Sequence, residues 1–245
     1  MTDVHVSLPP ALRKAVDLLA EPPAEPDAGK GYLDLLGTES PDVPKNTGPI
    51  QAVWASPIGS MLYDNAQALS RRLIAALQHP AEWLDIPPGG TVLDVGSGPG
   101  SVTASLARAA GKDGLALGVD ISEAMLARAV RNEAGPHVGF IRADAQRLPL
   151  RDDTVDAVVS MAALQLVPDP AAALAEMGRV LRPGGRLAIM VPSTGRAARI
   201  WQLLPNIGAH AFGEDEIGDI LEDNGFVSVR VKTLGTFQWV RAKFG

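Results

Sequence analysis

The chain of 245 residues has no cysteine, which excludes disulfide bonds, thiolate catalysis and cysteine-based zinc sites, and no metal site is predicted. Long apolar runs are also missing: the longest, such as Leu187–Val191, fall far short of the ~20 residues that cross a bilayer. Met1–Ala20 carries charged side chains and no apolar stretch, so no secretory signal is expected. With a net charge of −6 and no basic block, the chain is not expected to bind nucleic acid. These absences favour a cytoplasmic protein that handles a small molecule.

The N-terminal part, residues 1–64, is rich in proline and differs from the remainder, residues 65–245. Proline blocks helix continuation, so we expect one short helix at about Ala11–Ala20 and irregular or extended chain over Glu21–Pro49. Two interpretations stay open: a disordered tail, or a flap over a pocket that begins near Trp54. A helix is then predicted over Asn65–Gln78.

From Thr91 onward, short apolar runs alternate with helical patterns. Runs that are apolar at almost every position are typical of parallel strands buried on both faces, so the predicted fold is doubly wound α/β. The predicted strands are Thr91–Val95, Leu115–Val119, Val138–Arg142, Ala157–Ser160 and Leu187–Val191. The predicted helices are Val102–Ala110, Glu123–Glu133 with Ser122 as N-cap, and Pro170–Leu181. A helix at Asp215–Asp223 and a hairpin of Phe226–Leu234 and Thr236–Lys243 follow.

The first of these strands runs into a glycine-rich loop, Thr91-Val-Leu-Asp-Val-Gly-Ser-Gly-Pro-Gly100. In doubly wound sheets, ligands bind beyond the carboxyl ends of the strands, and a loop without side chains lets a ligand touch backbone amides there. The second strand is followed by Asp120, 24 residues after Gly96, whose carboxylate can accept both hydroxyls of a ribose.

Two kinds of cofactor suit a glycine loop and a ribose-binding acid. Dinucleotide sites use G-x-G-x-x-G, whereas here the third glycine position is Ser101 and the spacing is G-x-G-x-G. Asp94 also places a carboxylate where it would repel a pyrophosphate but attract an ammonium and a sulfonium, both of which S-adenosylmethionine carries. Neither tyrosine has a lysine four residues later, which argues against a short-chain dehydrogenase.

Five motifs in order resemble those of class I S-adenosylmethionine-dependent methyltransferases, of the small-molecule branch that includes quinone-biosynthesis enzymes. They are Val92–Gly100, Gly118–Ser122, Arg142–Ala145 with Leu148–Leu150, Asp156–Ser160 and Arg179–Gly185. The resemblance implies a seven-stranded, mostly parallel sheet of order 3-2-1-4-5-7-6 whose last strand is antiparallel. It also implies a cover over the acceptor site at residues 193–213, while the proline pattern predicts an N-terminal helical or irregular extension.

The resemblance implies binding roles along the whole cofactor. The methionine portion would be held by the glycine loop, through Asp94, Gly96, Ser97, Gly98 and Gly100, and approached by Ser160, Met161 and Gln165 after the fourth strand. Asp120 would take the ribose hydroxyls, and the adenine would contact Ile121, Met125, Ala143, Asp144 and Ala145. Purely structural alternatives stay open: Asp94 as a helix cap, Asp120 and Asp144 as turn acids, and Met125 as a core residue.

The acceptor side is indicated by composition. Aromatic and apolar residues of two segments would line an apolar cavity: Trp54, Ile58, Met61, Leu62 and Tyr63, and Trp201, Leu203, Leu204, Ile207 and Phe212. Trp54 or Tyr63 could also face the sulfonium, although all of these residues could instead simply pack. Displacement at a sulfonium needs a general base only if the acceptor must lose a proton, and His210 is the candidate, with a structural or solvated histidine as the alternative.

The leading hypothesis is methyl transfer to a small, apolar or aromatic acceptor. A non-catalytic cofactor-binding module and, with less support, a nicotinamide-dependent oxidoreductase are the alternatives. Ser160-Met-Ala-Ala163 stands where amino-methylating nucleic-acid enzymes carry an Asn/Asp-Pro-Pro-aromatic motif, so no nucleic-acid substrate is expected. The sequence leaves a homodimer open.

Overall fold

The computed structural model describes residues 8–37, 83–193, 210, 212–234 and 237–245. Within these ranges, one sheet is built from β1 (Leu33–Asp34), β2 (Thr91–Val95), β3 (Leu115–Asp120), β4 (Val138–Arg142), β5 (Val155–Met161), β6 (Leu181–Pro192), β7 (Phe226–Leu234) and β8 (Phe237–Phe244). The helices are α1 (Pro10–Val16), α2 (Ser101–Ala110), α3 (Glu123–Glu133), α4 (Pro170–Val180) and α5 (Glu216–Asp223), with a 3₁₀ helix at Leu164–Leu166. No helix in the described ranges is long and apolar enough to cross a membrane.

The strand order is β1-β4-β3-β2-β5-β6-β8-β7, so the prediction of seven strands is wrong by one. The remaining seven follow the expected order, and β8 runs antiparallel to both of its neighbours. The additional strand β1 comes from the N-terminal extension and pairs in parallel with β4, Leu33 opposite Ile141. Two residues are too short to show the alternation of a strand, and for this reason the sequence did not reveal it.

The central strands are covered on both faces. On β2, Val92 packs in one apolar cluster with Leu106 and Ala110 of α2, whereas the next residue, Leu93, packs in the other cluster with Leu12 of α1. Successive side chains of a strand point to opposite faces, so these two clusters lie on opposite sides of the sheet. The apolar strands are therefore buried between helical layers, as their composition predicts.

The described part of the N-terminal extension packs on the sheet. Helix α1 buries Ala11, Leu12 and Ala15 in the larger cluster but ends at Val16, four residues earlier than predicted. The chain after it is held by Arg151, whose guanidinium donates to the carbonyl oxygens of Leu19 and Asp17 at 3.1 and 2.6 Å. Residues 8–37 are therefore not a disordered tail. The flap starting near Trp54, the helix over 65–78 and the boundary at 64/65 lie outside the described residues.

Most other predicted elements are confirmed to within a few residues. Ser122 caps α3, its hydroxyl accepting from the Met125 amide at 3.4 Å. The hairpin forms, with β7 and β8 paired antiparallel over most of their length. Strand β6 begins earlier than predicted, directly after α4, because Leu181 pairs with Val155 before a register shift brings Arg186 opposite Ala157. Pro183–Gly185 therefore lies within an irregular start of the strand.

Candidate functional site

The candidate site lies where β2, β3 and β5 end at the same edge of the sheet. The loop after β2 leans onto β3, because the amides of Gly96 and Ser97 both donate to the Val119 carbonyl, at 2.8 and 3.0 Å. A further bond from the Gly100 amide to the Ser97 carbonyl, 3.0 Å, closes the turn that starts α2. These backbone hydrogen bonds fix the shape of the loop.

The three loop glycines have positive φ angles and different surroundings. A Cβ on Gly96 would collide with the Cβ of Ala163, which follows β5, and a Cβ on Gly100 would lie 2.6 Å from the Phe140 ring. At Gly98 (φ +51°) a Cβ would meet no atom within 4 Å. Two glycines thus allow the chain to pack closely, while the third borders open space, and a ligand is expected on that side of the loop.

Asp94 lies beneath this loop with 1% of its surface exposed. The Thr103 hydroxyl, on the first turn of α2, donates to one carboxylate oxygen at 2.6 Å, and the other has no partner among the described residues. Burial raises the pKa of Asp94 to about 7; the Thr103 hydrogen bond opposes this rise, and the charge of Asp120 adds to it. The buried hydroxyl of Ser97 likewise has no partner in the described part of the chain.

Asp120 ends β3 and reaches across to the loop. One carboxylate oxygen accepts from the Gly98 amide and the other from the Ser122 amide, both at 2.8 Å. Burial raises the pKa of Asp120, while the hydrogen bonds from the amides of Ser122, Gly98 and Ile121 act in the opposite direction. The carboxylate therefore lies beside the open face of Gly98, where the sequence analysis expected it.

The residues expected around the adenine lie in the turns after β3 and β4 and, for Met125, in the first turn of α3. Ile121 and Met125 are half-buried, as are Asp144 and Ala145, whereas Ala143 is buried. The carboxylate of Asp144 accepts from the amide of Gln146 at 2.9 Å and from its side-chain nitrogen at 3.0 and 3.1 Å. These hydrogen bonds are those expected if Asp144 only stabilises the turn, which was the structural alternative. A role for Asp144 in binding adenine stays a prediction.

The end of β5 supplies the third wall. The Ser160 hydroxyl is buried and donates to the Val95 carbonyl at 2.9 Å, so it joins β5 to β2, whereas Met161 is half-buried. Gln165 donates from its side chain to the Ala162 carbonyl at 2.6 Å, and its side-chain oxygen is buried without a partner in the described ranges.

His210 is joined to this third wall through its backbone, which donates to the Gln165 carbonyl at 2.7 Å. Its ring Nε2 lies 2.6 Å from a carboxylate oxygen of Glu216, and the ring meets Phe212 edge-on at 4.6 Å. The second Glu216 oxygen accepts from the Gly213 amide at 2.8 Å. Burial alone would raise the pKa of Glu216, but the Gly213 amide and His210 lower it below its usual value.

Several expected site residues lie outside the described part of the chain. These are Tyr63 of the cofactor set and, of the acceptor set, Trp54, Ile58, Met61, Leu62, Trp201, Leu203, Leu204 and Ile207. Phe212, which is described, is fully buried in the larger core cluster, and this favours the packing alternative for that residue.

Two contributors were missed by the sequence analysis. Thr103 fixes one oxygen of Asp94, and the available signal was a polar residue on the otherwise apolar, buried face of α2. Glu216 orients the His210 ring, but an acid in the first turn of a helix is common for electrostatic reasons and pointed to nothing further.

Comparisons with known proteins address the family directly. Residues 93–189 match the model of a methyltransferase domain. The chain is 33% identical over 161 residues to the arsenite methyltransferase of Halobacterium salinarum, a match that covers 62% of this chain and 41% of that protein. It is 36% identical over 135 residues to the 2-phytyl-1,4-naphtoquinone methyltransferase of Thermosynechococcus vestitus, covering 53% and 59%. The chain thus spans about half the length of these relatives.

A solved SAM-dependent methyltransferase from Aquifex aeolicus is 28% identical and superposes with a TM-score of 0.57, covering 69% of this chain and 89% of the other. Residues 93–189 are a methyltransferase domain, and the fold around them is similar to that of S-adenosylmethionine-dependent methyltransferases of class I. The expected resemblance is thereby confirmed, and S-adenosylmethionine is the cofactor of this domain. The residues present suit it, because Asp94 of β2 and Ser97 of the glycine loop have a buried carboxylate oxygen and a buried hydroxyl without hydrogen-bond partners among the described residues.

Gly98→Ala and Gly100→Ala should distinguish a glycine that borders the ligand from one that is needed for packing. Both positions have positive φ, so each substitution should cost about 1–2 kcal/mol of unfolding free energy, and Gly100→Ala roughly 1–3 kcal/mol more because of the Phe140 collision. Gly98→Ala should instead weaken S-adenosylhomocysteine binding, because its methyl group enters the crevice. Urea unfolding and calorimetry measure the two effects; equal stability losses, or unchanged affinity in Gly98→Ala, would contradict this assignment.

Cofactor affinity should depend on pH through Asp94. A cationic ligand favours the ionised carboxylate, so with a free-protein pKa of about 7 the dissociation constant should rise as the pH falls through 7. Between pH 8 and pH 6 we expect a weakening of about tenfold for S-adenosylmethionine. Asp94→Asn should bind weakly at pH 8 and show a flat profile. A flat profile in the unmodified protein, or tighter binding at pH 6, would show that Asp94 does not sense the ligand charge.

Proposed function

We propose that this chain transfers the methyl group of S-adenosylmethionine to a small, apolar or aromatic acceptor. The observation that carries the proposal is the pair of carboxylates near the ends of β2 and β3: Asp94 is buried with one oxygen unpartnered in the described ranges, and Asp120 accepts from the amide of Gly98. Two acids next to backbone amides suit a nucleoside that carries positive charge, and they disfavour a pyrophosphate. This charge pattern argues against the nicotinamide alternative.

The glycine loop, Asp120 and the turns after β3 and β4 each have a proposed role in binding the cofactor. Asp94 and the loop residues Gly96, Ser97, Gly98 and Gly100 hold the methionine portion, Asp94 by charge and the loop by its backbone. Asp120 exchanges the amide hydrogen bonds that it accepts in the free protein for the ribose hydroxyls. The half-buried Ile121 and Met125 contact the adenine, and the turn of Ala143, Asp144 and Ala145 borders it.

The cofactor supplies a methyl group on a sulfonium, which is already activated toward nucleophiles. The contribution of the chain is therefore alignment of an oxygen, carbon or nitrogen nucleophile with that methyl group and exclusion of water. The pairing of β2 with both β3 and β5 brings three loops together at one point, and a rigid strand scaffold suits this positioning task.

His210 is the proposed base for an acceptor that must lose a proton. Its ring is oriented by Glu216, and a general base must be held in a fixed orientation within reach of the proton that it removes. The backbone bond to Gln165 keeps His210 near the wall formed by the end of β5. Residues 193–213 are the proposed acceptor cover, and His210 stands near the end of that stretch.

The relatives support a small acceptor, since their names specify arsenite and a naphthoquinone. These two acceptors differ in charge and size, so the relatives support a small-molecule acceptor in general. The apolar composition of the two acceptor segments favours an apolar or aromatic small molecule.

Binding of the cofactor is tested by thermal unfolding with S-adenosylmethionine, S-adenosylhomocysteine and NAD. A ligand that binds only the folded state at 100 times its dissociation constant stabilises by about 2.7 kcal/mol, so the two sulfur compounds should raise Tm and NAD should not. Asp120→Asn should weaken S-adenosylhomocysteine binding by about 1.5–3 kcal/mol, the value of a charge-assisted hydrogen bond.

Asp152→Asn is the matched control, because Asp152 is an exposed acid in the turn before β5, at the opposite edge of the sheet. It should leave the affinity unchanged. Stabilisation by NAD alone would overturn the proposal, and cofactor binding without methyl transfer to any small molecule of a metabolite extract would favour the non-catalytic alternative.

A further inference from the structure

The N-terminal extension reaches the cofactor side of the sheet through residues 29–37, which we call the strap. Its strand β1 pairs with the last residues of β4, Asp34 opposite Arg142, and the Leu35 amide donates to the Arg142 carbonyl at 3.1 Å. The strap therefore ends beside the carboxyl end of β4. This is the edge of the sheet at which Asp120 and the turn after it lie.

Arg142 connects the strap to that turn. One guanidinium nitrogen, Nη1, lies 3.2 Å from Asp34 and 3.1 Å from Glu123, and it also donates to the Gly37 carbonyl at 2.9 Å. The Nε group donates to the Ile121 carbonyl at 3.3 Å. The side chains of Arg142 and Asp34 are only 14% and 4% exposed, so this pair is shielded from solvent and costly to break singly, whereas Glu123 is 47% exposed.

A second set of contacts holds the same turn. Lys30 of the strap lies 2.8 Å from the other carboxylate oxygen of Glu123, the first residue of α3. The fully buried Tyr32 packs with Leu126 of α3 and with Phe140. The Phe140 ring is the one that a Cβ on Gly100 would meet, so packing continues from the strap to the glycine loop.

We propose that Arg142 is a positioning residue for the cofactor, fixing the turn of residues 120–123 by joining it to the strap. The inference rests on the proposed cofactor site, since this turn carries Asp120 for the ribose and Ile121 for the adenine. A guanidinium can hold the Ile121 carbonyl and two carboxylates at once because its donors form a rigid fork. Without the guanidinium the turn is mobile in the absence of cofactor, and the free-energy cost of ordering it weakens cofactor binding.

The experiment compares Arg142→Met with Arg151→Met by calorimetric titration with S-adenosylhomocysteine. Arg151 is a matched control because it also ties the N-terminal extension to the core, through the carbonyls of Leu19 and Asp17, but touches no residue of the turn. We expect the dissociation constant to rise at least tenfold for Arg142→Met and less than twofold for Arg151→Met, although both variants lower Tm.

Two further variants sharpen the test. Asp34→Asn removes one charge of the cluster, keeps the size of the side chain and should raise the dissociation constant severalfold, and it carries the test if Arg142→Met does not fold. Arg142→Lys keeps the charge without the fork, so it should retain more thermal stability than Arg142→Met while recovering only part of the affinity.

The outcomes separate this inference from the proposed function. Binding by the unmodified protein together with unchanged affinity in Arg142→Met and Asp34→Asn would overturn the role of Arg142 alone. Equal weakening by Arg142→Met and Arg151→Met would also overturn it, because the extension would then act only through overall stability. Absence of binding by the unmodified protein would overturn the proposed cofactor site itself and this inference with it.

Discussion

Two carboxylates at the ends of neighbouring parallel strands, Asp94 and Asp120, share one buried edge, and burial raises the pKa of both. Because the folded pKa of Asp94 lies well above its unfolded value of 3.8, this group destabilises the free protein progressively as the pH rises from about 4 to 7. In the proposed site a ligand offsets this cost, because the positive charge of the methionine portion faces Asp94 and the ribose hydroxyls donate to Asp120. The glycine loop and the hydroxyl of Thr103 are arranged around these two charges.

The sheet order explains why the site forms at this edge. Strand β2 pairs with β3 on one side and with β5 on the other. The loops that follow β3 and β5 therefore lie on either side of the glycine loop, which is where doubly wound sheets bind their ligands. The close approach of those loops depends on missing side chains, since Gly96 faces Ala163 and Gly118 faces Phe140 and Ser97. The conformation of the glycine loop therefore allows close packing at Gly96 and at the same time leaves open space at Gly98.

The elements that could be predicted from the sequence are those that carry a local signal. The apolar strands, the capped helix α3, the glycine loop and Asp120 belong to this group, because periodicity, capping and turn chemistry act over a few residues. The partners of those residues could not be predicted in the same way. Strand β1, the fork of Arg142 toward Asp34 and the pairing of His210 with Glu216 depend on contacts across the folded chain, and no spacing in the sequence encodes them.

The account depends on a crevice in which Asp120 takes the ribose and Asp94 faces the positive charge of the methionine portion. The most direct measurement is a crystal structure of the chain with S-adenosylhomocysteine. The account predicts both ribose hydroxyls within hydrogen-bond distance of the Asp120 carboxylate, and the amino group on the Asp94 side of the glycine loop. A nucleoside bound elsewhere, or an Asp120 that keeps its amide partners and makes no contact with the ribose, would contradict it.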